Sequence, residues 1–574
     1  MAKKFTMSAE SPLNIVICWH MHQPQYCDLI SGIYQLPWSY LHATKDYIDM
    51  AAHLEAVPEA RAVVNFAPIL LDQLSDYAGQ VNGFLSENKP IRDPLLAALA
   101  SPVLPGSKEL RMELVSACLR VNELRSIKRF KPYQKLAEMA RWFHEHPSGM
   151  LYVGDPFITD LLVWYHLAWM GETVRRKNTL IQQLMEKGTG FTLHDRRELV
   201  KLIGELLSSV IDRYRELAEH GRIELAMSPY AHPIVPLLLD VETARDAMPD
   251  VLMPNLSSYP GGEERARWHI KEGIETFEQY FGKRPEGCWP SEGGVSMAAL
   301  AQLEEFGFTW AASGESVFRH SQSNPANKSI SSSSLYQGFR MADGELACFF
   351  RDDGLSDLIG FTYSDWHADD AVSNLIEHLE NIAASTREQH NPLVSIILDG
   401  ENAWEHFPEN GYYFLNTLYK RLAAHPDIRM TTYSDHLKTR HKHPRIKKLV
   451  SGSWVYGTFS TWIGDKDKNR GWEMLGDAKK VFDATLLENS LSSEQVLAAQ
   501  HQLSICEGSD WFWWFGDYNS ADTVSDFERI FRMHLSNLYI MLGKEPPEYL
   551  SMVFAHGGGV PVQGGVMRKG QYTA

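Results

Sequence analysis

The chain has 574 residues with a formal net charge of −17, and 44% of them are hydrophobic. That composition is ordinary for a folded globular protein and excludes a long disordered or fibrous chain, while the length predicts a large catalytic domain with at least one further domain. The acidic excess argues against binding to nucleic acid or to an anionic membrane surface, so we expect a neutral substrate.

Cysteine usage and the first residues predict a cytoplasmic protein. The six cysteines are scattered, without the close pairs that hold zinc or build a disulfide framework. The N-terminal MAKKFTMSAESPLN has no apolar segment after its basic residues, and no stretch of about 18 apolar residues occurs anywhere in the chain.

Seven short apolar runs recur along the chain, and each is followed by polar or aromatic residues. In chain order, the predicted strands are Ile15 to Cys18, Ala62 to Val64, Ile223 to Met227, Glu286 to Cys288, Phe308 to Ala312, Leu346 to Phe350 and Leu393 to Leu398. Strands whose polar residues all come after the carboxyl end are typical of an α/β barrel, where the active site forms at that face. The sequence therefore predicts an α/β fold with an incomplete seven-stranded (β/α) barrel, and an open doubly wound sheet is the alternative.

Helical periodicity dominates two further regions. Between the second and third strands, about 75–220, the apolar spacing predicts a helical insertion. We expect a catalytic barrel domain over 12–440 with this insertion, and a C-terminal, mainly helical domain over 441–574. The glycine-rich tail from Gly557 onward is predicted to be mobile or loosely docked.

Two carboxylates come directly after predicted strands and are flanked by tryptophans. Glu292 ends the run WPSE, and Asp399 begins DGENAWE. Glycoside cleavage needs one carboxyl group to protonate the leaving oxygen and a second to attack or to activate water. The pattern predicts that both groups face one barrel mouth and act as a catalytic pair.

Five motifs in order resemble those of glycoside hydrolase family 57. They are HQP at 22–24, GRIELAMSPYAHPIVPL at 221–237, WPSE at 289–292, LDGENAWE at 398–405 and a late segment around 462–472 with TWIG and NRGW. Five motifs in sequence order over most of the chain are far more specific than any one alone.

The resemblance implies a retaining double displacement with Glu292 as nucleophile and Asp399 as acid/base. It also implies an α-glucan substrate, and the likeness of WPSE and TWIG to the amylase and amylopullulanase branch favours hydrolysis of α-1,4 links, with α-1,6 links as a further substrate. A 4-α-glucanotransferase or branching enzyme with the same residues is the alternative. The residues expected to contact the sugar are His22, Gln23, Glu224, Tyr230, His232, Trp289, Arg351, Asp352, Glu401 and Trp404.

Late aromatic and acidic residues are expected to close the substrate groove. In related enzymes segments such as 454–472 and 508–517 have this role, and the candidates are Trp462, Trp472, Asp510 and Trp511. An equally good interpretation is that these tryptophans form a domain interface.

Two other classes of function stay open. A metal-dependent barrel of the deacetylase or α-mannosidase kind could use His20, His22 and His232, although an aspartate beside the first strand is lacking. A non-catalytic glycan-binding protein is the second alternative. We expect no required cofactor and no metal ligand set. Calcium stays open, although nothing in the sequence indicates it, and the oligomeric state is not predicted.

Overall fold

The computed structural model describes residues 12–331, 335–439 and 442–559. The strands are β1 (Leu13–Met21), β2 (Ala62–Phe66), β3 (Ile223–Met227), β4 (Gly287–Cys288), β5 (Trp310–Ser313), β6 (Phe339–Met341), β7 (Ala347–Phe350), β8 (Leu393–Asp399), β9 (Ile428–Met430) and β10 (Arg445–Ile446). The first eleven α-helices are α1 (Trp38–His42), α2 (Ile48–Ala56), α3 (Pro68–Glu87), α4 (Pro94–Ala100), α5 (Lys108–Ala117), α6 (Lys131–Glu145), α7 (Asp155–Ala168), α8 (Glu172–Lys177), α9 (Thr179–Lys187), α10 (Leu193–Glu219) and α11 (Val235–Leu239). The others are α12 (Gly262–Phe281), α13 (Met297–Glu305), α14 (Glu315–Ser323), α15 (Asp353–Asp357), α16 (Ala368–Ser385), α17 (Tyr412–Ala423), α18 (Tyr433–Lys438), α19 (Lys466–Leu487), α20 (Ser493–Cys506), α21 (Ser509–Trp514) and α22 (Ala521–Met541).

The seven predicted strands form a curled parallel sheet. Their order is β7-β5-β4-β3-β2-β1-β8, with every neighbouring pair parallel. In the part of the chain that is described, β7 and β8 have no ladder between them, and β6 lies antiparallel on the outer edge of β7. The sheet is therefore an incomplete barrel surrounded by helices, as predicted from the sequence.

Three strands were not predicted from the sequence. These are β6 and β10, which extend the sheet beyond β7, and β9, which pairs with the start of β1. Each has only two or three residues, too few for an alternating pattern, whereas the equally short β4 could be predicted from the WPSE motif that follows it.

The barrel is filled by apolar side chains that alternate along the parallel strands. All nine residues of β1 are buried, which is expected for a strand covered on both faces. One face of the strands contributes an interior cluster that includes Val16, Cys18, Val63 and Phe349. This packing holds the strands in register and so fixes the positions of the residues that come after them.

The regular elements between β2 and β3 are all helices or helical turns, from α3 to α10. The last of these, α10, begins with a capping box in which Thr192 and Asp195 satisfy each other's backbone amides. After β10 the described chain is again mainly helical, from α19 to α22, although β10 itself belongs to the sheet. The domain boundaries at 440 and 441 lie outside the described residues and stay a prediction, as does the tail beyond 559.

Within the described residues, none of the helices combines the length and the apolar character that crossing a membrane requires.

Candidate active site

Hydrogen bonds at the carboxyl ends of the strands join four neighbouring strands into one layer. Register places His20 of β1 opposite Asn65 of β2 on one side and opposite Asp399 of β8 on the other. The Asn65 amide contacts His20 Nδ1 at 2.8 Å and donates to Ser228 Oγ at 3.0 Å. Ser228 in turn donates to the Trp289 carbonyl. The motifs that begin after separate strands are thereby brought together at one end of the barrel.

Glu292 lies in a strained backbone conformation that directs its side chain into the cavity at this end. Its φ is 58° and its ψ is 23°, in the left-handed region that a residue with a side chain seldom adopts. The next residue, Gly293, also has positive φ, and an added Cβ there would lie 2.8 Å from the Trp289 ring. Trp289 thus packs directly beneath the loop that carries Glu292.

Two donors from the C-terminal region bind the Glu292 carboxylate. Trp454 Nε1 donates to Oε2 at 3.0 Å, and Ser509 Oγ donates to Oε1 at 3.2 Å. Ser509 is also 2.9 Å from His232 Nδ1. When Glu292 is ionised, the single hydroxyl proton of Ser509 goes to the carboxylate, so His232 Nδ1 carries its own proton and Nε2 is left as an acceptor.

Asp399 and Glu401 lie together after β8. Asn402 donates to Asp399 Oδ2 at 2.9 Å. Glu401 Oε1 accepts hydrogen bonds of 3.3 Å from the His22 backbone amide and from the Gln23 side chain. Among the described residues nothing donates to the buried Glu401 Oε2, so this oxygen is free to bind a hydroxyl group of a ligand.

One cavity of about 100 Å³ contains both proposed catalytic carboxylates. Eight residues predicted from the sequence line it: His22, Gln23, His232, Glu292, Arg351, Asp399, Glu401 and Asp510. His20, which the sequence offered only as a ligand of the metal-dependent alternative, also lines it. The remaining lining residues were not predicted, and they are Pro24, Tyr26, Asp357, Phe361, Leu398, Asn402, Trp454, Val455, Trp513, Trp514 and Phe527. The cavity therefore combines acidic and imidazole groups with an aromatic wall.

Burial and mutual repulsion perturb the carboxyl groups in this cavity. Burial, reinforced by the charges of Asp510 and Asp399, raises the pKa of Glu292 to about 8. Burial also raises the pKa of Asp399 to about 6, against the opposing effect of the hydrogen bond from Asn402. The pKa of Glu401 is well above its usual range, mainly because of burial and then because of Asp399. Closely spaced acids with raised pKa values are typical of a site that transfers protons near neutral pH.

Three imidazole rings stack beside the carboxylates. His22 and His232 have ring centroids 3.9 Å apart, and His20 lies 4.9 Å from His232. Burial, with repulsion between the rings, holds the pKa of His20 and of His232 well below the usual value. Both rings are thus neutral near pH 7 and can donate or accept hydrogen bonds to hydroxyl groups.

His22, His232 and Asp510 also form a group that could hold a metal ion, since their ligand atoms lie within 4.8 Å of one another. The planes of the two rings are inclined by only 23°, however, and the rings lie face to face. Their in-plane lone pairs therefore run side by side and do not converge on one point, as zinc ligands at about 2.0 Å must. A shared tetrahedral ion would need one ring to turn away from its stack. His20 is not part of this group.

Three residues predicted to contact the sugar lie outside the cavity. Glu224 is near the start of β3, at the opposite end of the barrel, where Trp310 and Ser434 donate to it. The Tyr230 hydroxyl points away and donates to Asp72. Asp352 caps α15 by accepting from the Leu355 amide, and its position in the cavity is taken by Asp357, which is held by Arg351. Glu224 precedes the end of β3 by three residues, whereas Tyr230 and Asp352 follow the ends of their strands, where the loop and the helix cap set the direction of the side chain.

Five predicted tryptophans support the site from behind and do not line the cavity. They are Trp289, Trp404, Trp462, Trp472 and Trp511, each at most 1% exposed. Trp404 donates to the Gly400 carbonyl, and Trp472 donates to the Trp462 carbonyl and stacks on Phe512 at 4.7 Å. The interpretation of the late tryptophans as interface core therefore describes their positions better than contact with the substrate does.

The aromatic residues that do line the cavity are neighbours of the predicted ones. Trp454, Trp513 and Trp514 come from the same late segments, and Phe361 lies in the segment after β7. The spacing of the motifs gave no signal that distinguishes Trp513 from Trp511. Only the direction of each side chain on the short helix α21 separates them.

A buried ionic network holds the segment that carries Ser509 and Asp510. Glu507, fully shielded from solvent, pairs with Arg265 at 2.8 Å and with His269 at 2.7 Å, both on α12. The Tyr259 hydroxyl donates to the same carboxylate at 2.6 Å. Because α12 packs beside the barrel, this network fixes the C-terminal segment relative to the strand ends.

Comparison with known families gives a match over residues 16–450 to the model described as glycosyl hydrolase family 57. The chain belongs to glycosyl hydrolase family 57. The family predicted from the ordered motifs is thereby confirmed, and with it the class of enzyme, a glycoside hydrolase or transferase.

The relatives are distant. A 1,4-α-glucan branching enzyme of Thermococcus kodakarensis is 26% identical over 107 residues, which are 19% of this chain and only 13% of that enzyme's length. The crystal structure of a branching enzyme of this family from Pyrococcus horikoshii is 14% identical, with a TM-score of 0.55 over 96% of this chain and 98% of the other. That of an α-amylase from Thermotoga maritima is 15% identical, with a TM-score of 0.54 over 94% and 96%. These likenesses show the shared fold.

Proposed function

We propose that the protein cleaves α-glucan chains by a retaining double displacement, with Glu292 as the nucleophile and Asp399 as the acid/base. The observation that carries the proposal is that both carboxylates line one small cavity, where the charge of Asp399 adds to the burial that raises the pKa of Glu292. In the first step a Glu292 oxygen attacks the anomeric carbon while Asp399 gives its proton to the departing glycosidic oxygen. In the second step Asp399 takes a proton from the incoming hydroxyl group, which displaces Glu292 from the sugar.

The other residues of the cavity suit the recognition of a neutral, hydroxyl-rich ring. Glu401 Oε2 and His232 Nε2 are buried polar atoms without a partner among the described residues. Each would gain a hydrogen bond from a sugar hydroxyl group. The rings of Trp454, Trp513 and Phe361 line the same cavity and offer apolar faces to the CH groups of the sugar. No step of this mechanism uses a metal ion.

Hydrolysis of α-1,4 links, and of α-1,6 links where the chain is branched, is the first form of this proposal. Transfer to a second sugar, as in a glucanotransferase or branching enzyme, is the second. Transfer is favoured by the local sequence similarity to a branching enzyme. It is also favoured by the aromatic wall of the cavity, because apolar rings exclude water and so favour a sugar hydroxyl as the acceptor.

Product analysis on maltoheptaose, amylose and pullulan tests the proposal, with Glu292→Gln and Asp399→Asn as variants. We expect each variant to lose about 10³-fold or more of turnover while its melting temperature stays close to that of the wild type. Only shorter products would support hydrolysis, and longer or newly branched products would support transfer. Wild-type turnover in either variant, or no turnover on any α-glucan, would contradict the proposal, and dialysis against a chelator checks that no metal is needed.

A further inference from the structure

A second cavity of about 460 Å³ lies on the surface near the catalytic one, and we call it the aromatic cavity. Its wall includes Tyr363, Trp366, Phe407, Tyr413 and Phe414. Trp366 is 43% exposed and Tyr413 is 50% exposed, whereas the other three rings are buried around them. The volume is within the range of about 300–1,000 Å³ that is usual for ligand sites.

The two loops that build the catalytic cavity also build the aromatic cavity. The segment after β7 contributes Phe361 to the first and Trp366 to the second, and the segment after β8 contributes Asn402 to the first and Phe407 to the second. Arg125, from the helical insertion, donates to the carbonyls of His406 and Ser364 and so ties the two loops together. The same two loops therefore line both cavities.

The chemistry of the aromatic cavity suits a sugar better than an ion or a lipid. Trp366 presents its indole to solvent and packs edge-to-face on Tyr363, with ring centroids 5.5 Å apart. Thr417 and Asp369 also line the cavity, and Thr417 donates to Asp369 at 3.3 Å, so hydroxyl and carboxylate groups lie beside the apolar rings. Exposed aromatic rings next to neutral and acidic hydrogen-bonding groups match the CH faces and hydroxyl groups of a pyranose.

The catalytic cavity also leaves most of a polymer to be bound elsewhere. Its volume of about 100 Å³ takes in only a small part of a glucan chain. The rest must lie along the surrounding surface, and the aromatic cavity is built by two of the loops that line the catalytic cavity.

We propose that the aromatic cavity is a second binding site for the α-glucan polymer, which it holds outside the catalytic cavity through Trp366 and Tyr413. This inference rests on the proposed function for the identity of the ligand.

The experiment measures polymer affinity and turnover separately. In the Glu292→Gln background, which keeps the polymer intact, the dissociation constant for amylose is measured for Trp366→Ala, Tyr413→Ala and Trp366→Phe. The matched control is Trp142→Ala, because Trp142 is 50% exposed on the helical insertion and lies outside both cavities. In the active background, turnover of maltotriose is measured for Trp366→Ala.

We expect Trp366→Ala and Tyr413→Ala to weaken amylose binding by about tenfold, as loss of one aromatic stacking contact commonly does, with Trp366→Phe and the control close to the parent. Turnover of maltotriose by Trp366→Ala should stay within about twofold of the wild type. Unchanged amylose affinity in both alanine variants, or an equal loss in Trp142→Ala, would overturn the inference while leaving the proposed function intact. Failure of the wild type to cleave any α-glucan would instead contradict the proposed function.

Discussion

Trp454 Nε1 donates a hydrogen bond of 3.0 Å to Glu292 Oε2, although the two residues are 162 positions apart along the chain. The same indole packs edge-to-face on Trp289 with ring centroids 5.1 Å apart. A donor to the ionised carboxylate lowers the pKa of Glu292 and so opposes the effect of burial. The late segment around Trp454 therefore takes part in setting the protonation state of the proposed nucleophile.

Trp454→Phe should lower kcat on maltoheptaose by about 10- to 100-fold. The variant keeps an aromatic ring against Trp289 but loses a hydrogen bond to a charged group, which is worth about 1.5–3 kcal/mol. The control is Trp142→Phe, a surface change of the same kind. Wild-type kcat in a folded Trp454→Phe protein would show that this hydrogen bond does not act on the reaction.

The pH dependence of kcat/KM should be bell-shaped, with limbs near pH 6 and pH 8. The reaction needs Glu292 ionised and Asp399 protonated, whereas burial and nearby charges raise the pKa of Glu292 to about 8 and burial raises that of Asp399 to about 6. In the free protein the proton therefore resides mainly on Glu292, and the productive form is the minor one. The two limbs report the apparent pKa values of the coupled pair, and not the pKa of either residue alone.

Asp510→Asn should move this profile toward lower pH, and its alkaline limb should move more. Burial is the main cause of the raised pKa of Glu292, and the negative charge of Asp510 is the next largest cause. The same charge raises the pKa of Asp399 only weakly. The matched control is Asp517→Asn, which changes an exposed carboxylate of the same segment. An alkaline limb that stays in place or moves upward in Asp510→Asn would contradict the electrostatic role assigned to this residue.

Features set by local pattern could be predicted from the sequence, whereas features that depend on packing between distant segments could not. The barrel strands end in polar motifs, so β3 and the positions of Glu292 and Asp399 could be predicted from alternation and from the order of the motifs. Ser509 and Trp454 reach Glu292 only because the C-terminal region packs over the strand ends. The spacing of residues within either segment gives no indication of these contacts with Glu292.

Glu224 lies away from the catalytic cavity, whereas His232 of the same motif lines it. Glu224 precedes the end of β3 by three residues, so it points into the far end of the barrel. Proximity in sequence to a cavity residue is thus a weak guide to contact when a strand spans the barrel between its two ends.

Glu224→Gln should therefore reduce stability and leave catalysis almost unchanged. Three donors converge on this carboxylate, two from Ser434 and one from Trp310, and burial raises its pKa. An amide would place its own N–H group against one of these donors, at a cost of about 1–3 kcal/mol. Urea unfolding should show the loss, with kcat/KM within about twofold of the wild type. A folded, stable variant that has lost about 100-fold in kcat/KM would instead return Glu224 to the substrate site.

Glu507→Gln should destabilise the protein at neutral pH by about 3–5 kcal/mol, because it leaves Arg265 buried without its partner charge. Burial alone would raise the pKa of Glu507, but the Arg265 charge and the His269 hydrogen bond lower it to about 2, from 4.5 in the unfolded chain. A lowered carboxyl pKa contributes stability that is present above the unfolded value and is lost as pH falls through the folded one. The difference in unfolding free energy between wild type and variant should thus be constant above about pH 5 and shrink between about pH 4.5 and pH 2. A difference in unfolding free energy that grows on acidification would show that Glu507 is not ionised in the folded protein.

Glu507 also holds the segment that presents Ser509 and Asp510. The kcat of the folded Glu507→Gln variant should therefore fall at neutral pH as well.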